Sequence, residues 1–254
     1  MIELRNVCYT VAGGSTPSRR RAILDDISFR VPTGSITCIM GVSGTGKTTL
    51  LRLMAGLVKP DNGEVLIDEH DIVPLNERDL NQVRAKTGFV FQYGALFDSL
   101  TVGENVAFGL EQQRKPRREI ENIVQSRLSE VGLPGTSDQL PSEISGGMRK
   151  RVAMARALAT SPQLVFYDEP TSGLDPVMAG VIDDLIVRLR TQNNTTNIVV
   201  SHHMESILRI ADRILMLHEG RLVADGAPDE IRNSPSPVVQ QFLHGKPEGP
   251  IQVK

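Results

Sequence analysis

No run of apolar residues in this sequence comes near the roughly 18 that a membrane-spanning helix needs, although hydrophobic residues make up 40% of it. A transmembrane helix is therefore excluded, while enough apolar material remains for a sizeable core. The first residues, Met1-Ile2-Glu3-Leu4-Arg5, lack a basic stretch followed by an apolar one, so no secretion signal is expected. Cysteine is scarce, with Cys8 and Cys38 the two present. Without an export signal, two free thiols in a reducing cytoplasm are expected rather than a disulfide. An excess of one charge sign is missing as well. The formal net charge is −2, which argues against a dedicated nucleic-acid binder. Tryptophan is absent, which decides nothing. No repeat of about 20–50 residues is visible.

What is present fits one large α/β domain, or a core with a smaller inserted subdomain, at 254 residues. Residues 2–9 alternate apolar and polar, as a half-buried strand does. A Gly/Ser/Pro/Arg-rich loop follows from Gly13 to Arg21, and residues 23–31 and 35–40 read as strands around the turn Pro32-Thr33-Gly34. Thr48 to Leu57 is apolar at helical spacing, residues 64–67 and 88–91 are short strand candidates, and about 100–160 is mostly helical. Gln163 to Tyr167 and Ile198 to Val200 are compact apolar strands on either side of an amphipathic helix, Met178 to Arg190. A hairpin is expected around Glu219-Gly220. Strands alternating with helices imply a mostly parallel sheet covered on both faces.

Two motifs carry chemistry. Gly41-Val42-Ser43-Gly44-Thr45-Gly46-Lys47-Thr48 fits G-x-x-x-x-G-K-[ST], between a strand and the helical run that starts at Thr48, and Thr49 joins the loop as a nucleotide-binding candidate. In such a loop backbone N–H groups turn inward around phosphates, and the following helix aims its dipole at the same charge. Lys47 reaches the β- and γ-phosphates in this reading, and the Thr48 hydroxyl binds Mg²⁺. The second motif is Leu164-Val165-Phe166-Tyr167-Asp168-Glu169, an apolar strand ending in paired carboxylates. Asp168 suits the Mg²⁺ shell, and Glu169 is placed to polarise the attacking water as general base.

Between these motifs lies Ile144-Ser145-Gly146-Gly147-Met148-Arg149-Lys150-Arg151. It resembles the LSGGQ signature of the ATP-binding-cassette family. Gln92 after the strand Gly88 to Phe91, Ser172-Gly173-Leu174-Asp175, and His202 after Ile198 to Ser201 resemble that family's Q-loop, D-loop and switch histidine, in the same order. The resemblance covers essentially residues 1–230. It implies a P-loop (RecA-like) ATPase core with an N-terminal antiparallel β subdomain and an inserted α-helical subdomain at about 93–160. The domain is expected to span 1–233, followed by an extended tail over 234–254.

The family also implies an enzyme, an ATPase with ATP and Mg²⁺ as cofactors. Two copies pack head to tail, so that Ser145, Gly146 and Gly147 contact the γ-phosphate of ATP held by the other copy's loop 41–49, with Asp175 nearby. Gln92 touches Mg²⁺ and the water and couples to a membrane partner, and His202 holds the γ-phosphate and orients Glu169. Two positions depart from the pattern. Val11 stands where the family often has an aromatic that stacks on adenine, and Tyr9 reads as a strand residue. Met148 replaces the signature glutamine, a change activity should survive.

The SGGM sequence, the segment Phe91 to Val102 and the tail Gln241-Phe242-Leu243-His244-Gly245 with Gly249-Pro250 resemble one group of the family. These are the ATPases of maintenance-of-lipid-asymmetry (Mla) phospholipid transporters, which work with MCE-domain proteins. The resemblance implies a homodimer on an integral membrane permease, with an MCE-domain protein and a small accessory subunit as further partners and no nucleic acid. It places the chain peripherally on the cytoplasmic face of the inner membrane of a diderm bacterium. Other readings remain: a cassette ATPase for another cargo, a soluble cassette ATPase outside transport, or a scaffold that binds ATP without turnover. Ala95, Leu96 and Phe97 are read either as part of the groove that receives a permease helix or as core of the helical subdomain.

Overall fold

The computed structural model describes residues 2–12 and 20–252. Most of the loop read from Gly13 to Arg21 lies outside them. In chain order the first elements are β1 (Ile2–Ala12), β2 (Arg20–Val31), β3 (Ile36–Met40), α1 (Lys47–Met54), β4 (Asn62–Ile67), β5 (His70–Asp71), α2 (Glu77–Arg84) and β6 (Thr87–Val90). Next come α3 (Val102–Gln112), α4 (Arg117–Glu130), α5 (Gly146–Ala159), β7 (Leu164–Asp168) and α6 (Pro176–Asn193). The last are β8 (Thr196–Val200), α7 (Met204–Ile210), β9 (Arg213–His218), β10 (Arg221–Gly226), α8 (Pro228–Arg232) and α9 (Pro237–Leu243). They form two compact units, residues 1–81 with 198–254, and residues 82–197.

In the first unit β1 pairs antiparallel with β2, Ile2 opposite Val31 and Tyr9 opposite Leu24. On its other edge β1 pairs with β4, which is extended by β5. Ile2, Leu4 and Val7 are buried while Glu3 and Arg5 reach towards solvent, the alternation expected of a strand with one covered face. Here β1 and β2 are longer than the sequence pattern suggested, because the pairing runs on to Ala12 opposite Arg20. The second layer of this unit differs in character. All of β3 is buried, and it runs parallel to β9 with Cys38 opposite Ile214. Burial on both faces is why Ile36-Thr37-Cys38-Ile39-Met40 is almost continuously apolar. β9 turns back into β10 through Glu219 and Gly220, both with positive φ (47° and 77°). This is the primed geometry that matches strand twist in a tight hairpin. Cys8 and Cys38 are free thiols.

The second unit carries β6 and β7, parallel, with Phe89 opposite Phe166 and their rings 5.9 Å apart. The helices α3, α4 and α5 fall between the two strands in sequence. α3 opens with a full capping box, in which the Thr101 hydroxyl accepts from the Glu104 amide and the Glu104 carboxylate accepts from the Thr101 amide. α5 buries Gly147, Lys150, Met154 and Leu158 along one stripe, the spacing of a helix face turned to a core.

The tail departs from the extended arm expected over 234–254. It forms α9 and then doubles back. The buried Gln241 side chain donates from Nε2 to the Ile251 carbonyl at 3.0 Å and accepts at Oε1 from the Ile251 N–H at 2.6 Å. Its four prolines stop long helices, but this amide clamp and the buried Val239 and Ile251 give the segment a folded end.

Candidate active site

In the first unit the chain leaves β3 at Met40 and enters the glycine-rich loop at once. Gly41 has φ 150°, and a Cβ there would lie 2.2 Å from the Leu217 carbonyl oxygen of β9. The loop can leave the sheet at this point only because the position is glycine. Inside the loop the Thr45 hydroxyl donates to the Val42 carbonyl at 2.9 Å. Gly46, with φ 98°, is the N-cap of α1, so no side chain occupies the helix entrance and its first amides face the loop. Lys47 is buried, and its Nζ donates to the carbonyls of Gly41 (2.8 Å) and Val42 (3.0 Å). Thr48 and Thr49 are half-buried in the first turn.

β8 ends in the same unit. The Ser201 amide donates to the Ile39 carbonyl at 3.2 Å, which sets His202 just past the carboxyl end of a strand lying beside β3. The carboxyl ends of strands are where open α/β sheets bind ligands. His202 is exposed, with its ring centroid 4.7 Å from that of His203. His203, to which the sequence assigns no role, N-caps α7 through its backbone, and its own amide donates to the Ser201 hydroxyl at 3.0 Å.

The second unit holds the carboxylates. All of β7 is buried, and burial pushes the Tyr167 phenol up. Asp168 and Glu169, at the end of β7, are both buried. Glu169 has φ 48°, a left-handed conformation uncommon for a residue with a Cβ. The unit also contains Gln92, half-buried just past the end of β6.

The Ser145 hydroxyl caps α5 by accepting from the Met148 amide at 3.2 Å. A serine hydroxyl that accepts in this way keeps its own O–H to donate. Ser145 and Gly146 are exposed, whereas Gly147 is buried, and a Cβ on it would come 2.8 Å from Met178 Cε. Asp175 caps α6, its Oδ1 accepting from the amides of Val177 and Met178 at 3.0 Å each. The predicted residues thus divide between the units. Loop 41–49 and His202 belong to the first, and Gln92, Ser145, Gly146, Gly147, Asp168, Glu169 and Asp175 to the second.

A family model described as ABC transporter matches residues 24–172. The chain belongs to the ABC transporter family. Among its relatives is the intermembrane phospholipid transport system ATP-binding protein MlaF of Haemophilus influenzae, 44% identical over 255 aligned positions that take in 100% of this chain and 94% of the relative. MlaF of Escherichia coli strain K12 is 41% identical, covering 99% of this chain and 91% of the relative. The "Probable ribonucleotide transport ATP-binding protein mkl" of Mycobacterium leprae is 40% identical over 90% of this chain and 66% of its own length. Among solved structures, the ATP-binding cassette MJ0796, a dimer in a post-hydrolysis state with ADP and Pi, superposes with a TM-score of 0.82 at 31% identity, over 90% of this chain and 99% of that one. This ABC ATPase therefore has the cassette fold expected from its motifs, and it binds and hydrolyses ATP as its family does.

Two side chains outside the sequence prediction are engaged with these elements. Lys150 lies on the buried stripe of α5, and Arg156 on the same helix donates to the carbonyls of Gly94 (2.8 Å) and Ala95 (2.7 Å). A signal for Lys150 was present in the sequence. It is a cation three residues after Gly147 and four before Met154, on a face otherwise made of small and apolar residues.

Proposed function

We propose that this ATPase powers phospholipid transport at the inner membrane of a diderm bacterium, as one of two identical copies docked on a membrane permease. The observation that carries the reading is the extent of the likeness. It runs over the whole chain, tail included, for the intermembrane phospholipid transport ATP-binding proteins. It covers 90% of the chain for the ribonucleotide transport relative. Among the described residues no helix is long and apolar enough to cross a membrane. An MCE-domain protein and a small accessory subunit complete the assembly, which sits on the cytoplasmic face.

The residue roles follow the family. Loop 41–49 holds the ATP phosphates, with Lys47 on the β- and γ-phosphates. Ser145, Gly146, Gly147 and Asp175 serve the nucleotide bound by the other copy. Glu169 polarises the water, and Gln92 and His202 orient it. Among the described residues no cluster of three or more His, Cys, Asp or Glu is gathered to hold a metal alone. That suits Mg²⁺, which prefers oxygen donors, keeps several waters and shares phosphate oxygens. In the family reading Thr48, Asp168 and Gln92 are the residues that would hold it, and Mg²⁺ would neutralise phosphate charge.

The test is reconstitution. The complex that co-purifies with the tagged chain from detergent-solubilised inner membranes, placed in phospholipid vesicles, should move labelled phospholipid only with hydrolysable ATP. A permease complex with no MCE-domain protein and no phospholipid movement overturns the cargo. Retention of the ATPase in the soluble fraction, with no membrane subunit, overturns the transport reading.

A further inference from the structure

Lys150 is 7% exposed, a rare setting for a lysine, which is almost never buried without partners. Its ammonium donates to the carbonyl oxygen of Gln92 and, at 3.3 Å, to that of Glu169. Burial pulls the Lys150 ammonium below the usual lysine range, and the carboxylates of Glu169 and Asp168 act in the opposite direction. Three N–H donors on a long flexible stem let one side chain serve two separate loops. Both loops bend sharply where they are held. Glu169 has φ 48°, and Gly94 and Ala95, just after Gln92, have φ 77° and 46°. Six residues further along α5, Arg156 takes the next carbonyls of the same loop, those of Gly94 and Ala95. One helix thus holds the main chain at residues 92, 94, 95 and 169 through two cations, and that helix is capped by Ser145.

We propose that Lys150 is a positioning residue for ATP hydrolysis: its ammonium fixes the backbone of Gln92 and Glu169 relative to each other and to the helix that begins at Ser145. The proposal rests on the reading of Glu169 as general base and Gln92 as its helper. The carboxylate that polarises water is useful only in a narrow range of positions, and misplacement by about 1 Å can cost on the order of 10²-fold in rate. A left-handed glutamate needs its surroundings to hold it there. The carbonyl of that same residue accepts from the Ser172 amide at 3.1 Å as well as from Lys150, and it is the Lys150 contact that carries any shift of the Gln92 loop to Glu169.

The experiment measures steady-state ATP hydrolysis by the full-length protein for Lys150→Met, Lys150→Arg and Glu169→Gln, with amide hydrogen exchange at residues 92–96 and 169–172. Lys150→Met should lower kcat about tenfold or more, with KM for ATP within about twofold. Lys150→Arg should recover most of the loss. Exchange should rise in those two segments and stay unchanged in α1. Should Lys150→Met not fold, Lys150→Gln, neutral and shorter, is read by the same criteria. An unchanged kcat and exchange, a loss confined to KM, or an arginine variant as slow as the methionine one overturns the proposal. The two readings fail separately. An inactive Glu169→Gln beside an unimpaired Lys150→Met removes the positioning role alone. A fully active Glu169→Gln removes the base, and the exchange result then decides whether Lys150 holds the two loops.

Discussion

The ammonium of Lys47 lies 2.8 Å from the carbonyl oxygen of Gly41, six residues earlier in the same loop. The contact closes the loop on itself through a neutral acceptor. Phosphate oxygens are anionic acceptors, and an ammonium gains the attraction of opposite charges there that a neutral carbonyl cannot offer. On the proposed assignment, nucleotide is expected to draw the ammonium away from the carbonyls of Gly41 and Val42. Lys47→Ala should cost roughly 1.5–3 kcal/mol of ATP affinity, about ten- to a hundredfold. Calorimetric titration checks this, and an unchanged dissociation constant would count decisively against the assignment.

Glu169 is buried at the end of a fully buried strand, with its main chain in the left-handed region. Exchanging its carboxylate for an amide keeps the shape and removes the proposed base. Glu169→Gln should bind ATP as the native protein does and turn over about 10²-fold more slowly, or slower still. It should also accumulate as an ATP-bound dimer, visible by size-exclusion chromatography with multi-angle scattering. Hydrolysis close to the native rate would sink the base assignment.

Two motif glycines differ in what a methyl group would meet, and their alanine variants should separate. At Gly41 the obstacle is the backbone carbonyl of Leu217 at 2.2 Å, and φ is 150°. At Gly147 it is the tip of the flexible Met178 side chain at 2.8 Å. Gly41→Ala should lose about 1–3 kcal/mol from the backbone conformation alone, and more from the close approach. Gly147→Ala should stay within about 1 kcal/mol, because Met178 can swing aside. Melting curves of the two variants check the order, and equal melting temperatures contradict it.

The motifs were legible because each is local. Gly41 to Thr48 and Leu164 to Glu169 are short runs in which turn, strand and chemistry share neighbouring residues. The hairpin at Glu219-Gly220 was legible for the same reason. What escaped depends on contacts distant in sequence or on single side chains. The Gln241 amide reaches Ile251 and turns a proline-rich tail into a folded end. The ammonium of Lys150 reaches Gln92, 58 residues earlier. The extra length of β1 and β2 comes from pairing, since Val11, Ala12 and Arg20 have no strand periodicity of their own and are exposed. The substitution at Met148 is explained by the cap. Ser145 is held through the Met148 main-chain amide, which the identity of the side chain does not alter.

The two readings of Phe97 make opposite demands on one variant. Phe97 is 43% exposed and its ring lies 4.7 Å from that of Phe108, which is also exposed, while Tyr93 is 86% exposed. The backbone beneath is rigid. The Phe97 amide donates to Asn105 Oδ1 at 2.8 Å, and Asn105 Nδ2 donates to the carbonyls of Phe97, Leu100 and Thr101. Exposed aromatics on a pinned loop and on the helix after it suit the docking reading, since interface hot spots are rich in such side chains. A phenylalanine in a core costs about 3–5 kcal/mol when cut to alanine. With this much of the ring in solvent, Phe97→Ala should cost well under that. Basal ATP hydrolysis should be unchanged in the isolated protein, since Phe97 is not among the residues assigned to the nucleotide. Assembly with the membrane permease should weaken about 30-fold, the equivalent of roughly 2 kcal/mol for one aromatic anchor. Thermal melting and a pull-down of the permease on the same variant decide the matter. A fall in melting temperature of ten degrees or so, with the folded fraction still binding the permease, would return Phe97 to the core.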